Sequence, residues 1–304
     1  MSRTSEVAAP ATIDLLIATD GTRDADGAVR VGRALALRDG AAAELVSVVE
    51  PFPLHAGAEG TPLPDVHQLT TLMAESRAAA LLEQRDRTHP GIHDWPFEID
   101  VGPRAEMIAA NAERKGASLI LMGLGEHGVT ARLMQRETAL QVMRAASVPV
   151  LALPRDAWGI PHSAVVAIDF TASSERAAAA ALDLLGGEGT LYVAHVLPRT
   201  MIPHAEPPAW EDETTAGTLK RLEAVVRRLD PPHGVHVEYV LLHGDPAHEL
   251  LAFAEETNAD LVAAGAHGRS ALGRLLMGSV STRLVRTAEC WVLVAPADGS
   301  AAPL

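Results

Sequence analysis

The second half of this chain repeats the first. "ASLILMG" (117–123) and "ADLVAAG" (259–265) share one pattern, and Gly265 lies 142 positions after Gly123. The same offset superposes Gly102 on Gly244, Arg144 on Arg286 and "SVPVLALP" (147–154) on "ECWVLVAP" (289–296), with no gap. Near the starts, "IDLLIATDGT" (13–22) pairs with "SAVVAIDFT" (163–171) and sets Asp20 against Asp169 at an offset of 149, so the first half carries a slightly longer middle. A duplication on this scale, in 304 residues, predicts two domains of ordinary size, each long enough to bury a core. We place them at 11–154 and 162–297, joined by "RDAWGIPH" (155–162), whose Pro, Gly and Trp mark a linker.

Within the second half, short apolar runs alternate with helical patterns. "AVVAID", "TLYVAHVL", "VHVEYVLLHG", "ADLVAAG" and "CWVLVAP" read as strands. Between them, "SSERAAAAALDLL", "TTAGTLKRLEAVVRRL", "PAHELLAFAEET" and "SVSTRLVRTA" read as helices, with Ser173 or Ser174 placed to cap the first. Strands separated by helices predict an α/β fold: two tandem domains, each an open five-stranded parallel sheet with helices on both faces. The apolar fraction is 48% while aromatics make up only 3%, so the cores must be built from Ala, Val, Leu and Ile, as buried parallel strands require.

Charge and cysteine usage narrow the function classes. A formal net charge of −14, with no Lys/Arg block interleaved with aromatics, argues against nucleic acid and anionic membrane surfaces as partners. A single cysteine, Cys290, excludes an intramolecular disulfide framework and fits a reducing compartment. The opening "MSRTSEVAAPATID" has no apolar core and no later run has the length of a membrane span, so the expected location is cytoplasmic.

In such a sheet, ligands bind beyond the carboxyl ends of the strands. "GAHGRSALGRLLMGS" (265–279) begins at one such end, and its last two residues open a helix. Gly265 and Gly268 allow positive φ and close backbone approach, while Gly278-Ser279 supplies free N–H groups, a favourable dipole and a hydroxyl. Together they describe a phosphate cradle. No Lys follows the last glycine, so this is not a Walker loop, and the phosphate charge needs a metal or another side chain. A Gly-x-x-Gly turn alone is more often structural than functional, and Asp169 fits a helix N-cap as well as a ligand contact.

Asp169, "AHVLP" (194–198), "HGDPAHELL" (243–251) and Gly265-x-x-Gly268-x9-Gly278-Ser279 resemble the universal stress protein family, and the duplication is similar to its tandem members. The resemblance implies a fold related to the adenine nucleotide alpha hydrolases and to Rossmann sheets, and, in the ATP-binding branch, bound ATP with Mg²⁺. It implies Gly265 by the ribose, Gly268, Gly278 and Ser279 by the phosphates, and Val280 beside them through its backbone. Asp169 then meets the adenine edge and Val196 the ring; Ala264 stands where the family often has Met. It further implies pairing of the two halves through their last strands, a homodimer, a regulatory protein partner, and a role in stress response or growth in which ATP hydrolysis, if any, is slow. The other readings are a nucleotide-independent protein-contact factor and an adenylating enzyme of the related superfamily, for which "IDFTASS" is short of glycine.

The first half departs from this pattern. At the 142 offset Gly268, Gly278 and Ser279 fall on Glu126, Arg136 and Glu137; sliding to 140 aligns "GEHG" with "GAHG" but puts the Gly-Ser pair on Thr138-Ala139. Asp20, Val49 and Gly123 keep the base-side positions, while two carboxylates would face a polyphosphate and Arg136 could pair with it. The expectation is weak or absent binding there. Elsewhere, 13 histidines without zinc spacing read as surface or loop residues, Cys290 as a buried thiol, and 51–75 and 198–215 as lids or loops.

Overall fold

Short runs of Leu, Ile, Val and Ala can be buried on both faces only if a sheet is covered by helices on both sides. The computed structural model describes residues 14–50, 66–91, 95–125, 129–197, 209–266 and 277–296. In the first half these form β1 (Leu15–Ala18), α1 (Asp26–Asp39), β2 (Ala43–Val49), α2 (Val66–Thr88), β3 (Phe97–Val101), α3 (Arg104–Lys115), β4 (Leu119–Gly123), α4 (Val129–Ala145) and β5 (Val150–Leu153). The second half repeats the order with β6 (Ser163–Ala167), α5 (Ala172–Leu185), β7 (Gly189–Leu197), α6 (Ala209–Leu229), β8 (Val235–His243), α7 (Pro246–Glu256), β9 (Leu261–Gly265), α8 (Ser279–Thr287) and β10 (Trp291–Ala295).

Each half is a parallel five-stranded sheet, as its alternation predicts. The two do not remain separate: β5 and β10 pair antiparallel, Leu293 opposite Leu151, and the strands run β3-β2-β1-β4-β5-β10-β9-β6-β7-β8 in one sheet. Val150, Leu151, Ala152, Val292, Leu293 and Val294 are each at most 1% exposed. Burying a Val or Leu side chain contributes about 1.5–3 kcal/mol, so this junction is core. α1, α5 and α6 pack on one face of the sheet, with α2 beside α1, and α3, α4, α7 and α8 on the other. Arg38 of α1 ties the halves further by donating to the Leu184 and Asp183 carbonyls at the end of α5, at 2.6 and 2.9 Å. Arg30 donates to the Ala157 carbonyl in the connecting segment at 3.1 Å.

Local signals explain the helix starts. Asp245 caps α7, accepting from the His248 N–H at 3.0 Å, with Pro246 in the first turn, where its missing N–H costs nothing. α5 is capped by Thr171, whose Oγ1 accepts from the Ser174 N–H; neither Ser173 nor Ser174 is the cap. Ser174 returns a bond from Oγ to the Thr171 carbonyl at 2.9 Å. The segments read as lids or loops are partly helical: 66–75 belong to α2 and 209–215 to α6, while 51–65 and 198–208 lie outside the described residues.

Candidate functional site

The strand order of the second half reverses at β6 and β9, and a cavity of about 600 Å³ opens beyond their carboxyl ends. Its wall is apolar, made by Ala167, Ala194, Val196, Leu250 and Ala264. Strand alternation puts Ala194 and Val196 on one face of β7, and Leu250 comes from the buried side of α7. The rim is polar: Asp169 and Ser174 on one side, Gly278, Ser279 and Ser281 on the other. A volume of this size, with few polar groups, suits a small organic ligand.

Asp169 follows β6 and is held by an Asx turn. Its Oδ1 accepts from the Thr171 N–H at 3.0 Å and from Thr171 Oγ1 at 2.6 Å. Asp169 therefore does not cap α5 itself; it orients the residue that does. Phe170, between them, has φ +64°, where a bulky side chain is an outlier, and it is packed on both sides. The Arg221 guanidinium stacks 3.6 Å from its ring centroid, and the His195 ring lies 4.9 Å away, with Nδ1 donating to the Ile168 carbonyl.

Gly265 ends β9 and lines the cavity, but its φ is not positive. A Cβ there would come within 2.8 Å of the Ser173 carbonyl carbon, so glycine is required by the approach of α5 to the strand end. Gly278 precedes α8 in extended conformation, φ −60° and ψ 152°, and its N–H is taken by the Ala266 carbonyl at 2.6 Å. The N–H groups of Ser279, Val280 and Ser281 follow in the first helical turn, where no carbonyl within the helix can accept from them. All three residues line the cavity. Gly268 and His267 lie outside the described residues.

The first half places its counterparts differently. Asp20 repeats the Asx turn, accepting from Thr22 N–H and Oγ1 at 3.0 and 2.6 Å. Gly123 repeats the tight approach, since a Cβ would lie 2.6 Å from the Asp24 carbonyl oxygen. The expected base-side Val49 is shifted by one: Gly102 N–H bonds the Val49 carbonyl as Gly244 N–H bonds that of Leu197, so Val48 is the counterpart of Val196 and lines the cavity. That cavity holds only about 60 Å³. Met122 and Val46 line it where the second half has Ala264 and Ala194.

No helix begins at the position of Ser279 either. α4 starts at Val129 and runs through Glu137, so the N–H groups there serve helical hydrogen bonds. The expected roles of Arg136 and Glu137 at a phosphate are overturned. Arg136 is 5% exposed and donates to the Val285 and Ala288 carbonyls at 3.0 and 2.8 Å, and Glu137 pairs with Arg286 at 3.1 Å. Both belong to the contact between α4 and α8. Glu126 lies outside the described residues.

Sequence reasoning missed Ala167, Ala194, Leu250 and Ser281 as cavity residues, although period-2 and helical spacing could have found the first three. Cys290 is largely buried, and that burial pushes its thiol up to about 11, which makes it a poor nucleophile. Among the described residues, no group of three His, Cys, Asp or Glu side chains is placed to hold a metal ion, and no helix is long and apolar enough to cross a membrane.

The sequence model of the universal stress protein family matches residues 14–154 and again 162–296. A universal stress protein of Mycolicibacterium smegmatis is 27% identical over 293 residues, covering 92% of this chain and 96% of its own. One from Methanocaldococcus jannaschii is 37% identical over 106 residues, 34% of this chain and 61% of the relative's length. Among solved structures, a universal stress protein from Archaeoglobus fulgidus superposes with a TM-score of 0.61 at 18% identity, covering 95% of this chain and 98% of that one. At that identity the likeness shows the fold.

Proposed function

Since the chain belongs to the universal stress protein family, we propose that its second half binds ATP and that occupancy, rather than turnover, is the signal it passes on. The observation that carries this reading is the meeting, in one 600 Å³ cavity, of an apolar wall with the first turn of α8. Val196, Ala194, Ala264 and Leu250 would sandwich a planar base, with Asp169, oriented by Thr171, at its polar edge. Gly265 leaves the cavity open where the ribose would pass. The N–H groups of Ser279 and Val280 and the Ser279 hydroxyl would donate to the phosphates, with the positive end of α8's dipole behind them. ATP supplies an anionic tail, and that tail carries Mg²⁺ with it; the described residues fit the nucleotide but offer no carboxylate cluster for a metal held by protein alone. The first half, with its small cavity and unbroken α4, is proposed to bind no nucleotide. On this reading the chain is a cytoplasmic, homodimeric regulator of stress response or growth that signals through a protein partner.

The test is direct. Protein purified without added nucleotide is denatured, and the released small molecules are identified by mass spectrometry, for wild type and for Gly278→Glu with Ser279→Glu. Gly278 has a φ open to any residue, so the variant should fold. About one ATP per chain from the wild type and none from the variant is the expected outcome. No nucleotide from either, and no binding on titration with ATP and Mg²⁺, removes the proposal.

A further inference from the structure

α8 is nine residues long, roughly 13 Å from end to end, and its two ends are held by different halves of the molecule. At the amino end, Gly278 N–H and Ser281 Oγ both bond the Ala266 carbonyl that follows β9, at 2.6 and 3.4 Å. At the carboxyl end, the guanidinium of Arg136, from α4 of the first half, spans the Val285 and Ala288 carbonyls. The Val285 carbonyl belongs to the last turn, where no further helical N–H is available and the dipole is negative, and Ala288 is the extended residue that ends the helix. A guanidinium that is 5% exposed is costly unless such groups meet it, and its rigid fork fixes both carbonyls at once.

The arrangement is one-sided. The 142 offset superposes Arg136 on Gly278 and the end of α4 on the end of α8, Ala145 on Thr287. The contact reciprocal to Arg136 would therefore come from residue 278, where glycine has no side chain to reach α4. The residue that opens the cradle in one half thus stands where the other half carries the clamp. We infer that Arg136 is a positioning residue for the second half's site: it fixes α8 by its carboxyl end and so sets where the amino end presents its N–H groups. This rests on the nucleotide reading above and gives the first half a task that needs no ligand of its own.

Three variants of the full chain test it: Arg136→Met, which keeps length but loses the charge and the fork; Arg136→Lys, which keeps the charge; and Glu137→Gln, which weakens the exposed pairs with Arg286 and Arg144 and leaves the guanidinium of Arg136 in place. Hydrogen exchange of the ligand-free proteins and titration with ATP and Mg²⁺ are the two readouts. Arg136→Met should speed exchange about tenfold over 284–288 while α7 stays protected. It should also weaken ATP about tenfold. Arg136→Lys should recover part of both, and Glu137→Gln should match wild type. A merely structural role would raise exchange through both halves and leave affinity unchanged in the folded protein. Unchanged exchange in α8, or a loosened α8 with unchanged affinity, overturns the inference. If wild type binds no ATP, the nucleotide reading fails by itself, and exchange in α8 still decides whether Arg136 positions the helix. Should Arg136→Met not fold, Arg136→Lys carries the same two readouts.

Discussion

The cavity of the second half holds about 600 Å³ and that of the first about 60 Å³, although the strands, turns and tight glycine contacts around them repeat. Two changes contribute to the difference. Met122 and Val46 fill space that Ala264 and Ala194 leave open, and α4 runs on across the position where Gly278 interrupts the second half's chain to begin α8. A duplicated unit can therefore lose a ligand cavity without losing its fold, because side-chain volume and a helix start are local, while the sheet and its helix layers depend on apolar pattern. The first half also locks the turn after β1 from above. Gln84 of α2, fully buried, accepts from Thr19 Oγ1 at 2.7 Å and donates to the Thr22 carbonyl and Asp26 at 3.0 Å. In the second half the corresponding turn is met by the Arg221–Phe170 stack.

The largest effect should come from emptying the filled half. Met122 is 5% exposed, and Met122→Ala should lower stability by about 2–5 kcal/mol, read from urea unfolding. It should add no nucleotide to the wild-type stoichiometry, because α4 still offers no helix start. A second ATP per chain would mean that side-chain volume alone separates the halves.

Val48 and Val196 give a matched pair, one in each cavity. Val48→Phe has about 60 Å³ to enter and should cost about 1–3 kcal/mol by overpacking. Val196→Phe enters the large cavity, so its unfolding midpoint should stay near wild type while ATP affinity falls roughly a hundredfold. Equal stability losses in the two variants would show that the cavities are less different than their volumes.

That pair also marks where the sequence was and was not legible. The repeat, the alternation and the composition lead to the α/β fold because those signals are periodic, whereas the N-cap reading of Asp169 does not hold: its carboxylate orients Thr171, which caps α5. The choice of Val49 over Val48 was a one-residue slip, which on a strand moves a side chain to the opposite face; only the bonds from Gly102 and Gly244 fix it. Gly265 was legible as a constrained position but not as a contact with Ser173, since α5 arrives from nearly a hundred residues earlier. Spacing alone leaves Arg136 free to pair with a phosphate for the same reason: the carbonyls it bonds, those of Val285 and Ala288, lie 149 and 152 residues away. The cap of α5 falls on Thr171 rather than on Ser173 or Ser174, because all three side chains are cap formers within one turn and spacing does not choose among them.

The smallest expected effect separates the halves by acid. Lys115, at the end of α3, bonds Glu44 of β2 at 2.9 Å and Glu98 of β3 at 2.6 Å. The 142 offset puts Thr257 at the place of Lys115 and Val240 at that of Glu98, so the second half has no counterpart. The hydrogen bond from Lys115 holds the Glu98 carboxyl below its ordinary 4.5, outweighing burial, with Arg114 adding in the same direction. Burial would lower Lys115, but the bonds to Glu98 and Glu44 raise it instead, so its contribution is intact throughout the acid range and is lost only above about 10.5. A carboxyl depressed in the folded state contributes stability that is full above its unfolded value and is lost as pH falls through the folded one. Wild type should therefore lose stability relative to Glu98→Gln as pH drops below 4.5, and the difference should be largest near neutrality. Glu98 is one-third exposed, so the increment is small and should shrink in high salt. Hydrogen exchange at pH 7 and pH 4 locates it: the loss of protection specific to wild type should fall on β3 and α3 and spare β8 and α7. Equal loss in both edges, or none in β3, would mean that the ion bridge does not distinguish the halves.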